Sequence, residues 1–111
     1  MVQKNQLRVL NKMFIVKIHQ FEEKIIVVIS DKDLIGKRFE EGKLQLDLTT
    51  SFYDGKEMNE TEIEELAKTA YILHLTGEKT IHFFDKMGLI DPKKILIISR
   101  IPHTEIFFVQ D

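Results

Sequence analysis

The chain has 111 residues, of which 43% are hydrophobic and 31% charged, with a formal net charge of −2. That length suits one domain, and the apolar fraction is too high for a disordered chain. The absence of a basic excess argues against nucleic-acid binding by bulk electrostatics, and the absence of cysteine excludes disulfides and thiolate metal sites.

Residues 1–12 are polar and mixed, and read as an extension ahead of a single domain over 13–111, with Met13 an alternative start to Met1. Phe14 to His19 is short and β-branched, which predicts a strand. Gln20 to Lys24 reads as a turn, and the apolar run Ile25 to Ser30 as a buried strand paired with the first in a hairpin. Even the longest apolar run, Ile25 to Ile29, is far short of a membrane span, so no membrane partner is expected and the cytoplasm is the expected compartment. Asp31 to Ile35 fits one helical turn before Gly36. Lys43 to Leu48 alternates strictly, with Leu44, Leu46 and Leu48 on one side. That pattern is a strand with one wet face, the mark of an antiparallel sheet. Thr49 to Gly55 turns the chain through Phe52 and Tyr53.

Asn59 and Glu62 have the spacing of a capping box and open a helix. Ile63, Leu66, Ala67, Ala70 and His74 fall on one helical stripe, and Gly77 is a natural stop. A second helix is expected from a Thr76 cap to Met87, with Ile81, Phe84 and Met87 inside. Asp91-Pro92 suits a short turn, because proline fits a first helical position. Ile95 to Ser99 reads as a further strand, Arg100 to Thr104 as a loop around Pro102, and Ile106 to Val109 as a last strand or packed tail. The fold class is therefore α+β, a small and mostly antiparallel sheet packed against two helices.

The chemistry is less legible. His19, His74, His82 and His103 show no pair at helical ligand spacing, so no metal or other cofactor is expected. His74 reads as a hydrogen-bonded histidine at the core edge. Pro102-His103-Thr104-Glu105 offers a stiffened loop with an imidazole near a carboxylate, the makings of an acid–base pair. Gly36-Lys37-Arg38-Phe39 sets two cations beside a glycine and an aromatic ring, suited to phosphate or an RNA backbone, although Glu40 and Glu41 blunt the field. Its plain reading is a charged turn. Thr76 to Thr80 lacks the earlier glycine of a phosphate loop, yet a helix start there can still bind an anion through its free amides. The acidic run from Asp54 to Glu65, with Phe52 and Tyr53 ahead of it and Glu64 and Glu65 at its end, is a solvated helix start or a docking site for a basic protein. No nucleophile elbow, catalytic triad order or dinucleotide fingerprint is present, so the catalytic residues are unknown.

Several stretches in order resemble an archaeal family known as domain of unknown function 424. They are Phe14 to His19, Leu34 to Gly42, Phe52-Tyr53-Asp54-Gly55, Ala70 through Glu78, Gly88-Leu89-Ile90 and Ile101-Pro102-His103. Two positions depart from the family pattern: His74 stands where an asparagine is expected, and Glu105 stands near the place of a glutamine. The resemblance implies a small archaeal protein in information processing. The leading reading is a non-enzymatic binding module, accessory to translation or a ribonucleoprotein complex. Its ligand-binding residues would be Gly36, Lys37, Arg38, Phe39, His74, Pro102 and His103, and its partners RNA or ribosomal proteins. The rivals are an adaptor docking a basic protein through Phe52, Tyr53, Glu64 and Glu65, and a small hydrolytic enzyme joining His103, Glu105 and His74.

Overall fold

The computed structural model describes residues 13–108, so the expected extension over 1–12 lies outside it. Strand β1 (Met13–Phe21) turns back into β2 (Lys24–Asp31) as an antiparallel hairpin, pairing Phe14 with Asp31 and Phe21 with Lys24. A single 3-10 turn, Lys32–Leu34, follows where one helical turn was expected. Then come a second hairpin of β3 (Arg38–Glu41) and β4 (Leu44–Asp47), and β5 (Lys56–Asn59). Helix α1 (Glu60–Ala67) leads to β6 (Ile72–Thr76) and helix α2 (Glu78–Lys86). A 3-10 turn, Pro92–Lys94, precedes β7 (Leu96–Ile98) and β8 (Ile101–Phe107).

Six strands form one sheet in the order β5-β1-β2-β6-β8-β7, and β3-β4 stands as a separate pair. All neighbours are antiparallel except β2 and β6, which run parallel across the long connection between them. The expected α+β architecture, a mostly antiparallel sheet with two helices, is therefore the one observed.

Strand alternation sends side chains to two differently covered faces. On one face Phe14, Val16, Val27, Ile29, Leu73 and Leu75 meet Ile63 and Ala67 of α1 and Ile81, Phe83 and Phe84 of α2. Burying side chains of this size stabilises by roughly 1.5–3 kcal/mol each. On the other face Val28 and Ile98 are covered by Leu46 and Leu48 from the β3-β4 hairpin, together with Leu34 and Tyr53.

Three local expectations are corrected. Helix α1 stops at Ala67, and His74 lies in β6 rather than on a helical stripe. The apolar spacing fitted both periods, but Tyr71 to Thr76 also alternates, and Leu73 and Leu75 are fully buried against the helices. Pro102 is in a strand and not a loop. The N–H it lacks is not missed, because the opposing Gly77 carbonyl already accepts from Ile81 N at 2.9 Å in the first turn of α2. Gly77 is the N-cap of α2 rather than a stop, and Thr76 does not cap. A Cβ on Gly77 would come within 2.3 Å of the Asp31 carboxylate, and its φ of 111° also favours glycine.

Candidate functional site

The histidines of the sheet, His19, His74 and His103, all lie on the hairpin-covered face. On β6, His74 and Thr76 alternate with Leu73 and Leu75, so both turn away from the helices. On β8, His103 and Glu105 do the same. Register sets Glu105 directly across from His74 and His103 across from Thr76. The result is a cluster on two neighbouring strands in which His74, His103 and Glu105 each present one donor atom, all within 4.8 Å of one another. The two imidazole centroids are 4.4 Å apart.

Each histidine is held at one ring nitrogen by a hydroxyl. His103 Nδ1 lies 2.9 Å from Thr76 Oγ1, and His74 Nε2 lies 3.3 Å from the Tyr53 hydroxyl. With those nitrogens protonated and donating to the hydroxyl oxygens, the lone pairs of His103 Nε2 and His74 Nδ1 are left for other use. His74 Nδ1 faces Glu105 Oε2 at 3.8 Å.

The loop between β4 and β5 covers the cluster from the β1 side. Phe52 stacks on His19 with ring centroids 4.6 Å apart and meets His74 edge-on at 5.0 Å. His19 Nε2 lies 3.0 Å from the Phe52 carbonyl oxygen, which can accept its N–H. Partial burial lowers both half-buried histidines, His74 and His103, from the usual 6.5 to about 4. A secondary cause for His74 is its neighbour His19; for His103 it is His74, opposed by Glu105. Although His74 faces a carboxylate, desolvation outweighs that attraction, and both rings are neutral near pH 7. Burial, with help from Glu105 and Asp47, raises the Tyr53 hydroxyl and keeps it protonated. Neutral imidazoles, a carboxylate and protonated hydroxyl partners form a donor set suited to a divalent transition-metal ion.

The other expected residues are dispersed. Lys37 is exposed, and Arg38 lies in β3 with Nη2 2.6 Å from Glu40 Oε1 and 3.0 Å from Gln45 Oε1. Phe39 packs on the hairpin-side core instead of standing free to stack, and Gly36 holds the turn with a main-chain bond to Leu48 O. Pro102 sits half-buried beside His103 in β8, so only this part of the first expected ligand set joins His74. Tyr53 is buried and Phe52 half-buried, which removes them as exposed anchors for a partner; Glu64 and Glu65 are exposed on α1, and Glu65 pairs with Lys68. His82 is exposed on α2, away from the cluster. The helix start at Gly77 has no free amides for an anion at Lys79 and Thr80: the Asp31 carboxylate accepts from both main-chain N–H groups, at 3.0 and 2.8 Å, and from the Thr80 hydroxyl.

His19, Thr76 and Tyr53 are cluster members that the sequence reading did not assign to this site. The signal was present in the alternation of Ile72 to Thr76, which sets His74 and Thr76 opposite two leucines.

No curated protein matches the chain. The crystal structure of an uncharacterized conserved protein from Methanopyrus kandleri is similar, with a TM-score of 0.70 and 19% identity over 89% of this chain and 99% of that one. At that identity the likeness speaks for the fold alone. The model of the family described as protein of unknown function DUF424 matches residues 18–109, and the chain belongs to that family.

Proposed function

We propose that this chain is a metal-binding domain that holds one divalent transition-metal ion through His74 Nδ1, His103 Nε2 and the Glu105 carboxylate. The convergence of one donor atom from each of these three residues within 4.8 Å carries the reading. Ligands of a tetrahedral ion at bond lengths of about 2.0–2.2 Å lie roughly 3.3–3.6 Å apart. The 3.8 Å between His74 Nδ1 and Glu105 Oε2 is close to that spacing, and the half-exposed Glu105 side chain can close the rest. The hydroxyls of Tyr53 and Thr76 are the outer partners that orient ligating imidazoles and set their tautomer. Zinc fits a set of two imidazoles and one carboxylate, and cobalt(II) is its spectroscopic substitute.

Titration with cobalt(II) tests the reading. The expected result is one equivalent bound, with visible d–d absorption lost in His74→Ala and in His103→Ala. A cobalt spectrum that is absent from the native protein, or unchanged in both variants while they stay folded, overturns it.

The reading as an RNA or translation accessory draws on Lys37 and Arg38. It has less support, because Glu40 and Gln45 engage the Arg38 guanidinium and Phe39 faces the core. The adaptor reading keeps only Glu64 and Glu65 as exposed groups.

A further inference from the structure

The proposed ligands leave a tetrahedral ion one position short, and the ground beside that position is apolar. Zinc sites with three protein ligands keep the fourth place for water or an added molecule. Ligating imidazoles are neutral, so the Glu105 carboxylate alone offsets a divalent ion and leaves one positive charge uncompensated. Solvent reaches the ligand set at Glu105, whose side chain is 44% exposed. One row along the same sheet face, Ile72 pairs with Phe107 as His74 pairs with Glu105, and Ile26 continues the row on β2. Successive rows on one face lie about 6.5–7 Å apart. The second hairpin leaves this row partly bare: Phe107 is 60% exposed, and Ile26 and Ile72 are half-buried. Phe52 borders both rows, stacked on His19 opposite Ile26 and edge-on to His74.

We infer that the fourth position takes the carboxylate of a small organic acid whose apolar chain lies along Ile72, Ile26 and Phe107. This rests on the metal reading and names its ligand. The carboxylate replaces bound water and supplies the one negative charge that the ion lacks; no bond within the acid is made or broken. A chain of about five carbons beyond the carboxylate spans the step from the row of His74 and Glu105 to the row of Ile72 and Phe107. Charge and chain make different selections. The ion admits any small anion, whereas the apolar row favours an acid over an inorganic anion and a longer chain over a shorter one.

The probes are acetate, butyrate and hexanoate, added to cobalt-loaded protein and read by the cobalt d–d bands. All three should shift the bands. A methylene fully buried on binding tightens affinity about fourfold, and on this half-open row about twofold is expected, so hexanoate should bind about tenfold or more tighter than acetate. Ile72→Thr combined with Phe107→Ser should keep the cobalt spectrum and acetate binding, and bring hexanoate down to the affinity of acetate. Phe107→Ser alone, at an exposed position, should weaken hexanoate about threefold. Equal affinities for acetate and hexanoate in the native protein overturn the inference and leave the metal reading intact. So does a chain-length gain that the double variant keeps, and so does a cobalt spectrum that no carboxylate shifts. Tighter binding of N-acetyl-dileucine than of hexanoate makes a peptide terminus the occupant and overturns the small acid. Failure of cobalt to bind before any acid is added overturns the metal reading and the inference with it.

Discussion

The two faces of the six-stranded sheet are built from the same strands and end in different states. One is sealed by two helices and lined by aliphatic and aromatic side chains. The other is covered in part, by a hairpin and a loop, and keeps His19, His74, Thr76, His103 and Glu105 among its apolar residues. Full cover removes water, and the Asp31 carboxylate buried under it is satisfied by Lys79 N, Thr80 N and the Thr80 hydroxyl at the start of α2. Partial cover leaves imidazoles dry enough to stay neutral and open enough to be reached, which is the condition for a ligand site.

The comparison breaks most readily at the sealed face. Phe84 is fully buried there, and Phe84→Ala should cost about 3–5 kcal/mol in urea unfolding by leaving a cavity between α2 and the sheet. If the faces are as distinct as described, a variant that remains folded should bind cobalt as the native protein does.

The next effect belongs to the open face and to pH. His74 and His103 stay neutral in the folded protein down to about pH 4, whereas in the unfolded chain they take up protons near 6.5. The unfolded state binds the extra protons between those values, so the metal-free protein loses stability as pH falls through that window and levels off below it. The slope should be of order 1 kcal/mol per pH unit for each histidine. Urea midpoints from pH 7 to 4 check this, and His74→Phe should flatten the slope. A native slope no steeper than that of His74→Phe would mean that His74 is not kept dry.

The smallest effect isolates orientation from ligation. Thr76→Val keeps the shape of the buried residue beneath His103 and removes the hydroxyl at its Nδ1. It should weaken cobalt binding by about 10- to 100-fold, the usual loss when an outer partner of a ligating histidine is deleted. A cobalt affinity equal to that of the native protein would show that the ring needs no such anchor.

Strands with a strong local pattern were legible in the sequence. Phe14 to His19, Ile25 to Ser30 and Leu44 to Leu48 all lie in or beside strands, and the Asn59–Glu62 capping box opens α1 with both of its reciprocal bonds formed. The segment from Ala70 to Thr76 was misread because its apolar positions fit two periods. That error put His74 on a helix, although the hydrolytic reading joined it to His103 and Glu105. Of the three clustered donors, His103 and Glu105 were recognised as neighbours in sequence, while the contribution of His74 depended on a pairing between strands far apart in the chain.

The sequence alone decided where backbone preference and side-chain alternation act over a few residues: the first hairpin, the capping box, the proline turn at Asp91-Pro92 and the α+β class, whereas Arg38–Glu41, read as part of a charged turn, proved to be a strand of the second hairpin. Tertiary structure decided which strands became neighbours. The parallel β2–β6 contact and the antiparallel β6–β8 contact are set by burial of both sheet faces at once, a property of the whole core that no local window contains. Those contacts place Asp31 on the start of α2 and bring His74 to Glu105 and His103 to Thr76.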